Sequence, residues 1–207
     1  MPVLLHGPAY STYARTARLV LEEKGIPYEL REVDILTGAN LAPEHLARHP
    51  WGKVPALEHD GFLLFETFAI ARYLDEAFPG PSLQPADPRA RARMTQVCAI
   101  VDSYAYGDMI GKLVWQAMIV PMQGGTPDQA AMEEGRAGTE KALGVIEGLL
   151  PDGPGITLAD LFLVPLIDYV SMTPPGGALL AARPRLAAWW QRTGQRPSVA
   201  ATRPKLG

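Results

Sequence analysis

Four consecutive residues with hydroxyl groups, Tyr10-Ser11-Thr12-Tyr13, stand where a short apolar run gives way to a helical pattern. A hydroxyl at the N-terminus of a helix can stabilise an anion, because it donates a hydrogen bond and the helix dipole acts in the same direction. Glu66-Thr67 stands at the start of a later helical pattern, where two side-chain acceptors and free backbone N–H groups come together. The hydroxyl run and Glu66-Thr67 are therefore candidate binding segments, although their residues could also serve only as helix caps.

The number of cysteines and the spacing of the histidines disfavour a metal site and a catalytic cysteine. Cys98 is the only cysteine, which excludes an internal disulfide, a zinc site built on several cysteines and a Cys-x-x-Cys redox pair, and which suits a reducing compartment. His45 and His49 are four residues apart and could place two ligands on one helix face. Pro50 follows at once and no third ligand is suggested, so we predict no metal.

The composition favours a globular protein of the cytoplasm. The chain has 207 residues, 47% of them hydrophobic and 20% charged, which excludes global disorder. A net charge of −3 gives no indication of a nucleic-acid partner. The N-terminal residues lack the basic and long apolar regions of a signal peptide, and no apolar run reaches the ~18 residues of a membrane span. We therefore expect neither a membrane nor a nucleic-acid partner.

The elements that must position these residues fall into two groups. Residues 1–79 follow the order β-α-β-α-β-β-α, with a Pro opening the third strand and Asp60-Gly61 marking a hairpin turn. The predicted strands are residues 3–6, 28–33, 54–57 and 62–65, and the predicted helices are residues 12–25, 43–48 and 66–78. Residues 80–88 are rich in Pro and predict a linker. Residues 89–207 predict an all-helical domain, with helices at 89–118, 128–150, 157–171 and 183–196.

Four segments together are typical of one family. They are Ser11 through Lys24, Gly52-Lys53-Val54-Pro55-Ala56-Leu57, Phe65-Glu66-Thr67 with Ala69-Ile70-Ala71-Arg72-Tyr73-Leu74, and the capping box Thr157-Leu158-Ala159-Asp160. With this order and spacing the chain resembles the glutathione S-transferases over essentially its whole length. It is more narrowly similar to bacterial-type members with a serine-type active site, of phi or theta-like kind. The resemblance implies a thioredoxin-like domain, a helical domain, and glutathione as co-substrate of a homodimeric, cytoplasmic detoxification enzyme.

The resemblance also implies roles for individual residues. Ser11 would contact the glutathione thiol, with Thr12 and Tyr10 as rivals for that role. The Val54–Pro55 bond would be cis, and the backbone of Val54 would pair with the cysteinyl part of glutathione. Glu66 would contact the ammonium group, and Thr67 with the helix N-terminus would bind the γ-glutamyl carboxylate.

This sequence departs from the family pattern at two points. Asn40-Leu41 stands where serine-type relatives have a His-Lys pair for the glycyl carboxylate, and Lys53 stands where they often have Gln. Asn40 can still donate a hydrogen bond, and Lys53 could restore the lost positive charge. The electrophile pocket would be formed by Tyr10, Tyr13, Tyr104, Met109 and Trp115, and Asp102 could reach glutathione across a dimer interface.

The function that the resemblance implies is transfer of glutathione. The thiolate would attack a small hydrophobic electrophile held between the two domains. One alternative is glutathione-dependent reduction, ether cleavage or isomerisation on the same fold. Another is a non-catalytic binding protein, which Asn40-Leu41 favours.

Overall fold

The structure is a computed structural model that describes residues 2–150, 153 and 155–204. The chain forms two compact units, one of residues 2–84 with 196–204 and one of residues 85–195. The first boundary lies inside the predicted linker. At the other end the structure differs from the predicted 89–207 domain, because residues 196–204 pack on a helix of the first unit.

The first unit contains every element predicted for it, in the predicted order. These are β1 (Val3–His6), α1 (Thr12–Lys24), β2 (Tyr28–Arg31), a 3-10 turn (Ala39–Leu41), α2 (Pro43–Leu46), β3 (Ala56–His59), β4 (Phe62–Phe65) and α3 (Thr67–Ala77). The thioredoxin-like fold class is therefore confirmed. β2 is shorter than predicted, and the third strand begins after Pro55 and not at Val54, since Pro has no N–H to donate to a sheet ladder.

The sheet register decides what lies at each end of the strands. The strand order is β2-β1-β3-β4, with β1 parallel to β2 and antiparallel to β3, and with β3 antiparallel to β4. His6 pairs with Ala56, and Ala56 pairs with Phe65. The segments that continue from these three residues, at Gly7, Pro55 and Glu66, therefore leave the sheet at the same end.

The core of the first unit lies between the sheet and the packed pair α1 and α3. Its fully buried side chains include Leu5, Leu19, Leu21, Leu57, Ile70 and Leu74. Val3 and Leu5 alternate with Leu4 and His6 along β1, so one face of this strand enters the core and the other lies towards α2. The core thus holds α1 and α3 against the sheet by apolar packing.

The C-terminal residues of the first unit carry a short helix that the sequence analysis missed, α11 (Pro197–Thr202). It packs on α1. Arg196 donates two hydrogen bonds to the Glu23 carboxylate, at 2.8 and 2.6 Å, and the Ser198 hydroxyl donates to the same group. Charge-assisted hydrogen bonds therefore hold this segment on the helix that begins after Ser11.

The second unit is all-helical, as predicted, and begins with one long continuous helix. It runs through α4 (Pro88–Ile100), π1 (Val101–Ala105), α5 (Tyr106–Asp108), π2 (Met109–Ile119) and α6 (Val120–Met122), where π1 and π2 are π-helical. The remaining helices are α7 (Gln129–Leu149), α8 (Leu158–Ser171), α9 (Pro174–Ala181) and α10 (Pro184–Thr193). The sequence predicted the long helix only to residue 118 and missed α9.

One prediction for this unit, the capping box at Thr157, is confirmed. It stands at the start of α8, where Asp160 accepts from the Thr157 backbone N–H at 2.7 Å. Cys98 is buried in α4. Within the described residues, no helix combines the length and the apolar character needed to cross a membrane.

Candidate functional site

Two helix N-termini meet at one end of the sheet in the first unit. α1 begins after Ser11 on the connection from β1, and α3 begins directly after β4, with Glu66 as its N-cap residue. Because β1 and β4 both end beside the start of β3, the two helices begin on either side of the segment that leads into β3. Two helix dipoles therefore present their positive ends to one region.

Gly7 allows these segments to approach closely. A Cβ atom at Gly7 would lie 3.1 Å from Cβ of Ala14 in α1 and 3.4 Å from Cβ of Val54. The first turn of α1 and the Val54 segment thus pack against the same glycine. The Val54–Pro55 bond is cis, as predicted.

Three of the four consecutive hydroxyl residues at the start of α1 lie in different environments. Ser11 is the N-cap, is half-buried, and its Oγ accepts from the Ala14 N–H at 3.3 Å. The Tyr10 hydroxyl donates a hydrogen bond to Asp34 Oδ1 at 2.8 Å, and burial together with this hydrogen bond raises the pKa of Tyr10 to about 12. Thr12 is buried. Ser11 therefore uses an oxygen lone pair for capping and keeps its proton available for a ligand.

The start of α3 has an unusual backbone conformation. Glu66 has φ 72° and ψ 117°, a positive φ that non-glycine residues rarely adopt. Its carboxylate is exposed and makes no capping hydrogen bond to the described residues of α3. Thr67, the first residue of the helix, is buried. Strained residues of this kind cluster at binding sites, and here the carboxylate is left exposed beside a helix N-terminus.

Asn40 lies across the segment that leads to Val54. Its Nδ2 donates to the Gly52 carbonyl oxygen at 2.7 Å. Leu41 is 64% exposed and its Cδ2 approaches Gly52, while the Lys53 side chain is also exposed. Asn40 therefore has a structural partner within the protein, and Lys53 is the nearby cation left open to a ligand.

The two histidines of the α2 region are buried and do not form a metal site. His45 Nε2 lies 2.7 Å from the Lys53 carbonyl oxygen, and the His49 ring packs 4.9 Å from that of Phe65. No group of three or more potential metal ligands occurs in the part of the chain that the structure describes. The contact between His45 and Lys53 joins residues that are eight positions apart, and no local sequence pattern marks such a contact between a side chain and a carbonyl group.

The predicted pocket residues differ in exposure. Tyr10 and Tyr13 are half-buried in the first unit. In the second unit Tyr104 is 72% exposed and Trp115 is 39% exposed, whereas Met109 is 0% exposed. Met109 is a core residue of the helical unit and has no surface to offer a ligand.

The chain is similar to known proteins in both of its halves. The family described as glutathione S-transferase, N-terminal domain, matches residues 10–77, and the family described as glutathione S-transferase, C-terminal domain, matches residues 129–192. Glutathione S-transferase 3 of Zea mays is 35% identical over 97% of this chain and 93% of its own length. The chain belongs to the glutathione S-transferase family.

Solved structures of glutathione transferases share the fold of this chain over nearly its whole length. Glutathione transferase F2 from Populus trichocarpa superposes with a TM-score of 0.86 at 28% identity, covering 97% of each chain. Glutathione S-transferase I from maize, in complex with an atrazine glutathione conjugate, superposes with a TM-score of 0.84 at 30% identity, covering 98% of this chain and 96% of its own. The predicted enzyme class, glutathione transferase, is thereby confirmed.

The narrower prediction, a bacterial-type glutathione S-transferase of phi or theta-like kind, is not confirmed as a whole. The relatives named above are plant enzymes. The similarity therefore gives no support to a bacterial-type, theta-like glutathione S-transferase, and it favours a relation to the plant phi class.

Proposed function

We propose that this glutathione S-transferase binds glutathione at the end of the sheet where α1 and α3 begin, and that Ser11 activates its thiol. The observation that supports this proposal is the meeting of two helix N-termini beside Val54, with the Ser11 hydroxyl proton available. The serine-type active site would place the protein with enzymes of the plant phi class.

Activating the thiol means lowering the free energy of the thiolate relative to that of the protonated thiol. The free thiol has a pKa of about 8.5 and is mostly protonated at neutral pH. Lowering this pKa by about two units stabilises the thiolate by about 2.7 kcal/mol relative to the thiol. A hydrogen bond from Ser11 and the dipole of α1 act on the thiolate and not on the thiol, so both contribute to that difference.

The rest of glutathione carries two carboxylates, one ammonium group and two peptide bonds. Glu66 would pair with the ammonium group, and Thr67 with the N-terminus of α3 would bind the γ-glutamyl carboxylate. The Val54 backbone would pair with the cysteinyl part as an added strand does. Lys53 would attract the glycyl carboxylate, and Asn40 has a second amide hydrogen with which it could contribute.

The second substrate would be a small hydrophobic electrophile. The atrazine conjugate bound to the maize relative supports conjugation over reduction, ether cleavage or isomerisation. The proposal assigns electrophile binding to Tyr10 and Tyr13, the half-buried aromatic residues beside Ser11 in the first unit. Product analysis with a general aryl halide tests it, since a glutathione adduct is expected and a reduced or isomerised product would contradict it.

The test of the thiol-activating role is the thiolate absorbance of bound glutathione as a function of pH. In Ser11→Ala the pKa of the bound thiol should return towards about 8.5, and kcat at neutral pH should fall. Thr12→Val is the matched control, because it removes the adjacent buried hydroxyl and preserves the side-chain shape. An unchanged thiol pKa in Ser11→Ala, or a larger change in Thr12→Val, would remove Ser11 from the role.

The proposal includes a homodimer and a cytoplasmic location. Homodimerisation is a property that the family resemblance implies, and light scattering on the purified protein would detect it as a mass of twice the 22.4 kDa of the chain. A single unpaired, buried Cys98 supports a reducing compartment. Fractionation of the source cells tests that location.

A further inference from the structure

We propose that His45 is a positioning residue for glutathione, because it orients the backbone N–H of Val54 through the carbonyl of Lys53. This inference rests on the proposed function, in which the Val54 backbone pairs with the cysteinyl part of glutathione.

Two side chains hold two consecutive carbonyl groups before Val54. Asn40 Nδ2 donates to the Gly52 oxygen and His45 Nε2 to the Lys53 oxygen, both at 2.7 Å. A carbonyl oxygen can only accept, so the proton of this contact is on His45 Nε2. His45 is 3% exposed, and its Nδ1 has no hydrogen-bond partner among the described residues. The ring is therefore held in place by the Lys53 contact and by packing.

The peptide plane carries this restraint to the ligand site. The Lys53 carbonyl and the Val54 N–H belong to one planar peptide unit and point in opposite directions across it. Fixing the direction of the Lys53 oxygen therefore fixes the direction of the Val54 N–H. A correctly oriented N–H binds its acceptor without a reorganisation cost, so the effect of His45 should appear in glutathione affinity.

A second group of hydrogen bonds, made by Arg48 and not by His45, also anchors α2 on the sheet. Arg48, two residues beyond α2, donates to Glu58 of β3 at 2.7 Å and to Glu44 of α2 at 2.9 Å. Neither of these contacts touches the Gly52 or Lys53 carbonyls. Arg48 thus provides a matched control, in which the α2 anchor is weakened and the carbonyl restraint is left intact.

The experiment compares His45→Met, His45→Gln and Arg48→Gln. Met and Gln have similar length, and only Gln can donate to the Lys53 oxygen. We expect His45→Met to raise KM and Kd for glutathione about tenfold, the usual order for one lost hydrogen bond that leaves its acceptor unpaired. The kcat at saturating glutathione should change less than about twofold, since Ser11 is untouched. His45→Gln should restore most of the affinity, and Arg48→Gln should lower Tm with Kd unchanged.

Several results would overturn the inference. These are an unchanged Kd in His45→Met, no difference between the Met and Gln variants, or an equal loss of affinity in Arg48→Gln. A measurement on the wild-type protein keeps the proposal testable if a variant does not fold. The NMR resonances of the His45 ring nitrogens should shift when glutathione saturates the protein. Constant resonances would contradict the proposal. Failure of the proposed function is separate, because the wild-type protein would then not bind glutathione in calorimetry.

Discussion

The indole Nε1 of Trp189 donates a hydrogen bond of 2.7 Å to Oδ1 of Asp160, joining α10 to the first turn of α8. The other carboxylate oxygen, Oδ2, accepts from the backbone N–H of Thr157 at 2.7 Å and from its hydroxyl at 2.8 Å. One buried carboxylate thus satisfies three donors and combines a local helix cap with a tertiary contact.

Replacing this carboxylate should cost stability and leave the chemistry intact. Asp160→Ala leaves three donors unpaired, so the free energy of unfolding should fall by about 2–4 kcal/mol, and Trp189→Phe should cost about 1–3 kcal/mol. Urea denaturation measures both. Trp190→Phe, a change of the neighbouring half-buried indole, is the control and should have a smaller effect. A loss of kcat in the folded fraction of Asp160→Ala would contradict the structural assignment.

The Glu23 carboxylate should make the stability of the protein depend on acid pH. Burial raises the pKa of Glu23, but hydrogen bonds from Arg196 and Ser198 outweigh it and hold the pKa below its usual range. A lowered folded-state pKa stabilises the protein above the unfolded value of about 4.3, and this stabilisation is lost as pH falls through the folded value.

The comparison of wild type with Glu23→Gln tests this linkage. At pH 7 the variant should lose about 1–3 kcal/mol, the usual range for hydrogen bonds to a charged group. The difference should shrink as the pH of the denaturation experiment falls below about 4. Glu76→Gln, in an exposed pair with Arg72 on α3, should have a much smaller effect at pH 7. A difference between wild type and Glu23→Gln that does not vary with pH would contradict the assignment.

Gly7 should be intolerant of a side chain for two reasons, which are its φ of 157°, a conformation that side chains rarely adopt, and the atoms that lie close to a Cβ there. In Gly7→Ala the new methyl group would press on Ala14 and Val54, so we expect a loss of about 1–3 kcal/mol in stability and a higher KM for glutathione. Gly25→Ala is the control, because Gly25 has φ 64° and no atom within 4 Å of a Cβ. It should cost about 1 kcal/mol through its backbone conformation alone and leave KM unchanged.

Cys98 should be unreactive in the native protein. The thiol is buried, and burial raises its pKa well above the usual value, with Asp102 and Asp160 adding to the effect. A thiol reagent should therefore label one equivalent only in denaturant, since thiolate is the reactive form. Cys98→Ala should retain glutathione conjugation. Rapid labelling of the native protein, or loss of conjugation in the variant, would contradict this.

The sequence predicted the elements best where their signals were local. Ser11, Gly25 and the Thr157-Asp160 box mark helix ends by contacts within four residues, and the structure has all three. α9 was missed because Pro174-Pro175-Gly176-Gly177 is a breaker sequence by composition. Its prolines occupy the first turn, where no N–H is needed, and the Thr173 hydroxyl caps Gly176.

The candidate site stays a prediction that the family resemblance implies. The segments with Ser11, Val54 and Glu66 carry that resemblance because their residue types are recognisable in the sequence. The sequence could not reveal that Glu66 has a positive φ, nor that Asn40 is bonded to Gly52. Both depend on where the chain passes after it has folded.

By itself the sequence determined the order of strands and helices of the first unit up to α3, the helix caps at Ser11 and Thr157, and the presence of a single cysteine, because periodicity, capping and residue type are local properties. Only the tertiary structure decided which hydroxyl is available and which carbonyls are held. The Tyr10 hydroxyl donates a hydrogen bond to Asp34, 24 residues away, and His45 Nε2 contacts the Lys53 carbonyl oxygen eight residues away. Hydrogen bonds between distant segments require packed strands and helices to bring the donor and acceptor together, so no pattern of neighbouring residues encodes them.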